Sequence, residues 1–148
     1  MKYLIAILTF SAILISCKKS AAPSTVGIDL PIGNYTGFLH ETNFGYQDFN
    51  FKIQVSKTGG NTYSIKQLSN GPLPPFIVEK NTEESSPIFS GKVKPQKSGN
   101  IDVVGSDTGF GDGLDFTYEP ELKRISFQIV TGPLMSPEKY YIFIGVKE

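Results

Sequence analysis

The sequence predicts an all-β fold: an antiparallel meander closed into an up-and-down barrel, in preference to a β-sandwich, behind a helical leader. Three observations carry this expectation. Beyond residue 30, apolar side chains recur at every second position in short runs, and Gly, Pro, Asn and Asp cluster between the runs. After the leader no stretch of useful length keeps a helical period. The 11 Phe and 7 Tyr, with no Trp, are residue types that favour strands and bury much apolar area each. Strands at hairpin spacing in an open sheet leave two unpaired edges that template aggregation, and closure removes both.

The leader comes first. Lys2 is a short positive region, and Tyr3 to Ile15 is apolar apart from Thr9 and Ser11. This is the layout of a secretory signal over residues 1–16. A spanning helix needs roughly 20 apolar residues, and Lys18-Lys19 closes this run well before that length.

Leu14-Ile15-Ser16-Cys17 resembles the lipobox of bacterial lipoproteins, with all four positions matching its order of aliphatic, aliphatic or small, small, then Cys. The resemblance implies cleavage before Cys17 and acylation of both its thiol and its new amino group, so that acyl chains on Cys17 hold the protein to a membrane. Each buried CH₂ contributes about 0.8 kcal/mol, so one chain anchors weakly and two or more anchor firmly. Cys17 is the only cysteine, which leaves a secreted chain no intramolecular disulfide partner for it. Lys18 stands where Asp in enterobacterial lipoproteins accompanies inner-membrane retention, so the resemblance implies an outer-membrane address. Cys17-Lys18-Lys19 is similar to lipoproteins of the Bacteroidota, whose surface-exported members often carry acidic residues soon after the Cys; with no acid before Asp29, the resemblance implies the periplasmic face.

Residues 17–29 are small and polar and read as a tether. Residues 30–148 are one domain's length of chain. Its opening segment, Pro31-Ile32-Gly33-Asn34-Tyr35-Thr36-Gly37, resembles the Gly-x-aromatic start of the lipocalins and related calycin barrels, with Tyr35 where those families usually carry Trp. The resemblance implies the same class of barrel. On the residues alone, Tyr35 is an aromatic plug at one end of a β core.

Asp48 to Ser56 is the cleanest strand, with Phe49, Phe51, Ile53 and Val55 expected on the buried face and Asn50, Lys52, Gln54 and Ser56 on the wet one. Lys57 to Asn61 is a hairpin turn, and Thr62 to Leu68 returns with Tyr63 and Ile65 inward. Ser69 to Pro75 breaks the pattern because Pro lacks the donor that a central strand needs. Phe76–Glu79, Ile88–Val93 and Asn100–Gly105 are shorter strands, separated by polar loops at residues 80–87 and 94–99. Gly113–Glu119 puts Leu114, Phe116 and Tyr118 on one face, and Arg124–Thr131 does the same with Ile125, Phe127 and Ile129. Lys139–Lys147 is the last of nine expected strands. Its run Tyr140-Tyr141-Ile142-Phe143-Ile144 implies burial on both faces or a closing position.

Chemistry is sparse. His40 is the only histidine, and its neighbour Glu41 points to the opposite face of a strand, so the pair is a poor acid/base couple. One histidine and one lipidated cysteine exclude a His/Cys zinc set. Asp107, Asp112 and Asp115 in a Gly-rich loop are the residue types that hold Ca²⁺, and equally those of a Gly/Asp turn bonding its own amides. No cofactor pattern is present. Lys plus Arg and Asp plus Glu number 14 each, so there is no basic excess for nucleic acid. The loop apolars Phe44, Tyr46, Leu73, Pro74, Pro75, Phe76, Phe110, Leu134 and Met135 are either a rim for a ligand or partner, or caps over the ends of the core. The expectation is a lipid-anchored, non-enzymatic envelope protein whose barrel binds a small apolar ligand or an envelope component. The alternative is an accessory lipoprotein that docks on another envelope protein through loop aromatics or a strand edge. A ligand carrier needs an internal cavity, whereas a docking protein needs a filled core and an exposed apolar patch.

Overall fold

A computed structural model describes residues 27–43, 45–82, 86–106, 115–132 and 139–148. The described chain is all β: β1 (Gly33–Glu41), β2 (Gln47–Gly59), β3 (Thr62–Gln67), β4 (Phe76–Lys80), β5 (Phe89–Val93), β6 (Gln96–Ser98), β7 (Ile101–Gly105), β8 (Phe116–Glu119), β9 (Arg124–Thr131) and β10 (Lys139–Lys147). Every pairing is antiparallel, and β10 pairs with both β1 and β9, which closes the sheet. The expected up-and-down barrel is therefore the observed fold, and β10 holds the closing position.

The ten segments build eight staves. β7 and β8 both pair with β9, through Gly105↔Ile129 and Phe116↔Phe127, so they are two halves of one stave. The break between them is bridged where the Gln128 amide donates to the Asp115 carbonyl at 3.0 Å. β5 and β6 are likewise one stave, broken at Lys94-Pro95. Pro95 has no amide to donate, and the Gln96 side chain stands in for a peptide beside β4. Its Oε1 accepts from the Ile77 amide at 2.8 Å, and its Nε2 donates to the Ile77 carbonyl at 2.9 Å. β6 lies in the segment 94–99 expected to be a polar loop. Three residues of Gln96-Lys97-Ser98 carry no alternation, and only the tertiary pairing with β7 makes them a strand.

A second correction concerns Phe49. The register of β1 on β2 shifts between Gly37 and Leu39, with one extra residue on the β2 side. Such a bulge reverses which face the following side chains take. Phe51, Ile53 and Val55 stay inside, while Phe49 turns out and is 72% exposed. It packs on Phe38 with ring centroids 4.9 Å apart.

Among the described residues, aromatic rings pack against one another across the lumen. Tyr63 meets Phe89 edge-on at 5.5 Å, Phe89 meets Phe116 at 6.0 Å, and Phe116 stacks on Phe127 at 5.7 Å. Phe127 also contacts Phe76 at 5.1 Å and Phe143 at 5.2 Å, and Phe143 reaches Phe51 at 6.4 Å. These side chains belong to one continuous core cluster with Leu39, Ile53, Ile65, Val78, Ile125 and Ile129.

The chain enters at one mouth of the barrel. Lys80 Nζ donates to the Gly27 carbonyl at 2.6 Å, Leu30 is buried, and the Tyr35 hydroxyl donates to the Pro31 carbonyl at 2.8 Å. Residues 27–32 thus strap this tether mouth, and Tyr35 plugs it from inside, its phenol pushed up first by burial and then by Tyr118. Asp29 fastens the strap to Lys80 at 2.8 Å and Lys57 at 3.1 Å, and these bonds lower its carboxyl from 3.8 to about 2. A depressed carboxyl stabilises the fold above its unfolded value and stops doing so as pH falls through the folded one. Asp29→Asn is therefore expected to flatten the loss of stability between about pH 4 and pH 2 in an acid titration. Its cost at neutral pH is expected to stay below about 1 kcal/mol, because the carboxylate is mostly solvated.

Candidate functional site

The residues singled out in the sequence separate once folded. Leu73, Pro74 and Phe76 come from the β3–β4 connection at the mouth opposite the tether and are buried, with Phe76 edge-on to Phe127. Tyr46, from the β1–β2 connection, is half-buried and sets its ring edge-on to Phe51 at 6.5 Å. These four cap the core, the second of the two expected arrangements, whereas Pro75 is exposed, as are Leu68 and Asn70 in the same connection. Cys17, Phe44, Asp107, Phe110, Asp112, Leu134 and Met135 lie outside the described residues.

Asp115 is buried in the barrel wall. Its Oδ2 accepts from the Val93 amide at 3.3 Å, tying β5 to the break between β7 and β8. A Cβ at Gly105 would collide with this carboxylate, so glycine there is required by close approach. Among the described residues, no three His, Cys, Asp or Glu side chains are grouped to hold a metal ion.

Adjacent strand residues face opposite ways, and β1 shows it. Glu41 points into the barrel and is almost fully buried, 3.5 Å from Lys139 Nζ. The Tyr141 phenol, opposite it on β10, is pushed up to about 12, by burial first and then by the Glu41 charge, with the Thr131 hydroxyl working the other way. Pairing Glu41 with its sequence neighbour His40 does not reveal this inward cluster, because its members come from β1, β9 and β10. Its signal was the inward period of Tyr35, Leu39 and Glu41. The cluster offers a charge pair and a protonated phenol, which brace the mouth and provide no activated nucleophile.

His40 faces outward and lies parallel to Phe38, with centroids 6.1 Å apart. It belongs to a larger outer surface. Phe38 stands opposite Ile144, and His40 opposite Ile142, across the β1–β10 pairing. Phe49 joins from β2 and Ile144 is 46% exposed, so Phe49, Phe38, Ile144, Ile142 and His40 form one patch over three strands. Phe49 and Ile144 are its most exposed members, and a contiguous exposed apolar patch, unlike scattered apolar residues, marks an interaction site. Its signal in the sequence was the doubly apolar run at Tyr140–Ile144, whose outward half has no protein over it among the described residues. No family model, curated protein or solved structure matches the chain.

Proposed function

We propose that this chain is a lipid-anchored, non-enzymatic binding module of a bacterial envelope. Acyl chains on Cys17 hold it at the outer membrane, and the barrel captures an envelope protein on its outer β2–β1–β10 wall. One observation carries the choice of wall over lumen: rings fill the interior from Tyr63 to Phe51, while Phe49 and Ile144 stand in solvent. Every strand of this wall is paired on both sides and has no free edge to lend to a partner strand, so capture relies on side-chain packing. Such interfaces concentrate their energy in a few aromatic anchors, and Phe49 on Phe38 is of that kind.

The experiment is in-cell photocrosslinking with benzophenone-alanine at position 49. The native chain is expected to give a protein adduct at a membrane, and the same chain with Cys17→Ser is expected to leave the membrane fraction and lose the adduct. Benzophenone-alanine at Lys66, exposed on β3, is the control. Equal adducts at 49 and 66, or a small molecule retained by the native protein in mass spectrometry with no adduct at 49, overturns the wall as the binding surface. A Cys17→Ser chain that still sediments with membranes overturns the anchor.

A further inference from the structure

The tether mouth carries exposed apolar side chains of its own, adjoining the patch around Phe49 where Val146 stands two residues beyond Ile144 on the same outward face of β10. Ile32, just ahead of β1, is 59% exposed; Leu122, in the β8–β9 turn, is 53% exposed; and Val146, near the end of β10, is 52% exposed. Alongside them is a groove of about 370 Å³ lined by Pro31, Tyr118, Pro120, Lys123, Lys147 and Glu148. Its lips are fixed by backbone bonds: the Lys147 amide donates to the Lys123 carbonyl at 3.0 Å, and the Glu148 amide to the Asn34 carbonyl at 3.0 Å. Leu122 sits on a turn tip, outside the core cluster.

We infer that this mouth is a membrane-contacting foot: Ile32, Leu122 and Val146 enter the headgroup layer of the bilayer that holds Cys17, with Lys123 and Lys147 beside lipid phosphates. The inference rests on the lipid anchor proposed above. Position and length favour a bilayer over a protein. The chain from Cys17 reaches the fold at this mouth, and Cys17 precedes Gly27 by ten residues, a span of at most about 35 Å. The membrane surface that holds the acyl chains is therefore within reach of the foot. Three aliphatic side chains fall well short of the roughly 800 Å² per partner that a stable protein interface buries. A contact this small is effective only as a second attachment, where the ten-residue connection to Cys17 holds it at a high effective concentration. Charge agrees with a zwitterionic surface. Lys123 and Lys147 are offset in part by exposed Glu121, while Glu148 is paired with Lys52 at 2.8 Å, so the mouth carries only a small positive excess.

The chain has no Trp, so Leu122→Trp places a single fluorophore in the foot. Ile101→Trp, 46% exposed at the start of β7 at the opposite mouth, is the control. The acylated full chain is reconstituted in phosphatidylethanolamine–phosphatidylcholine vesicles with bromine-labelled acyl chains. Emission from Leu122→Trp is expected to fall at least about twofold, as for a side chain at the headgroup–acyl boundary, while that of Ile101→Trp stays unchanged. Ile32→Trp repeats the test should Leu122→Trp disturb its turn. Vesicles that float with acylated protein whose Leu122→Trp and Ile32→Trp emission is unquenched, or quenched no more than Ile101→Trp, overturn the foot alone. Protein that neither floats nor carries acyl mass overturns the anchor, and the foot with it.

Discussion

Phe127→Ala is expected to cost about 3–5 kcal/mol, the range for deleting a buried aromatic side chain. Phe127 is 4% exposed and touches three other rings, Phe76, Phe116 and Phe143. Its loss removes the central member of the stack and leaves a void that rings held by opposite staves cannot close. Domains of this size carry only about 5–15 kcal/mol in total, so the chemical-denaturation midpoint is expected to drop steeply. Phe49→Ala, also a Phe deletion but on the outer wall, is expected to cost less than about 1 kcal/mol. Similar costs for the two variants would show that the lumen is loosely packed and would reopen the case for an internal ligand.

Gly37→Ala is the second large effect. Gly37 on β1 faces Gly145 on β10 at the seam that closes the barrel. A Cβ on Gly37 would collide with the Ile144 carbonyl oxygen and the Gly145 Cα. Both are backbone atoms of the partner strand and cannot rotate aside. The cost is expected at the upper end of overpacking, about 3 kcal/mol, with amide-exchange protection lost first along β1 and β10. Unchanged protection at that seam would mean that the two strands do not approach as closely as described.

The sequence was most legible where one face of a strand is wet and the other dry. Arg124–Thr131 and Lys139–Lys147 run to their expected limits, because alternation there continues to the ends of the pairing. It failed at Phe49, whose alternation was correct and whose facing was not: a one-residue bulge set by the partner strand turned it outward. It failed also at Gln96–Ser98, which has no pattern of its own and is held by β7 and by the Gln96 amide on β4. The candidate wall was half visible. The run Tyr140–Ile144 announced two apolar faces, but its neighbours Phe38 and Phe49 come from elsewhere in the chain, and only pairing brings them together.

By itself, the sequence determined that this is a meander of antiparallel strands with an aromatic core and with a lone cysteine behind an apolar run. Each of these is local, read from side-chain period, turn chemistry or composition. The tertiary structure alone decided which aromatics fill the lumen and which stand outside, that ten segments make eight staves, and that Ile32, Leu122 and Val146 share the mouth where the tether enters. These depend on register and closure. Register is set by contacts between strands distant in sequence, and a shift of one residue turns a buried ring into an exposed one.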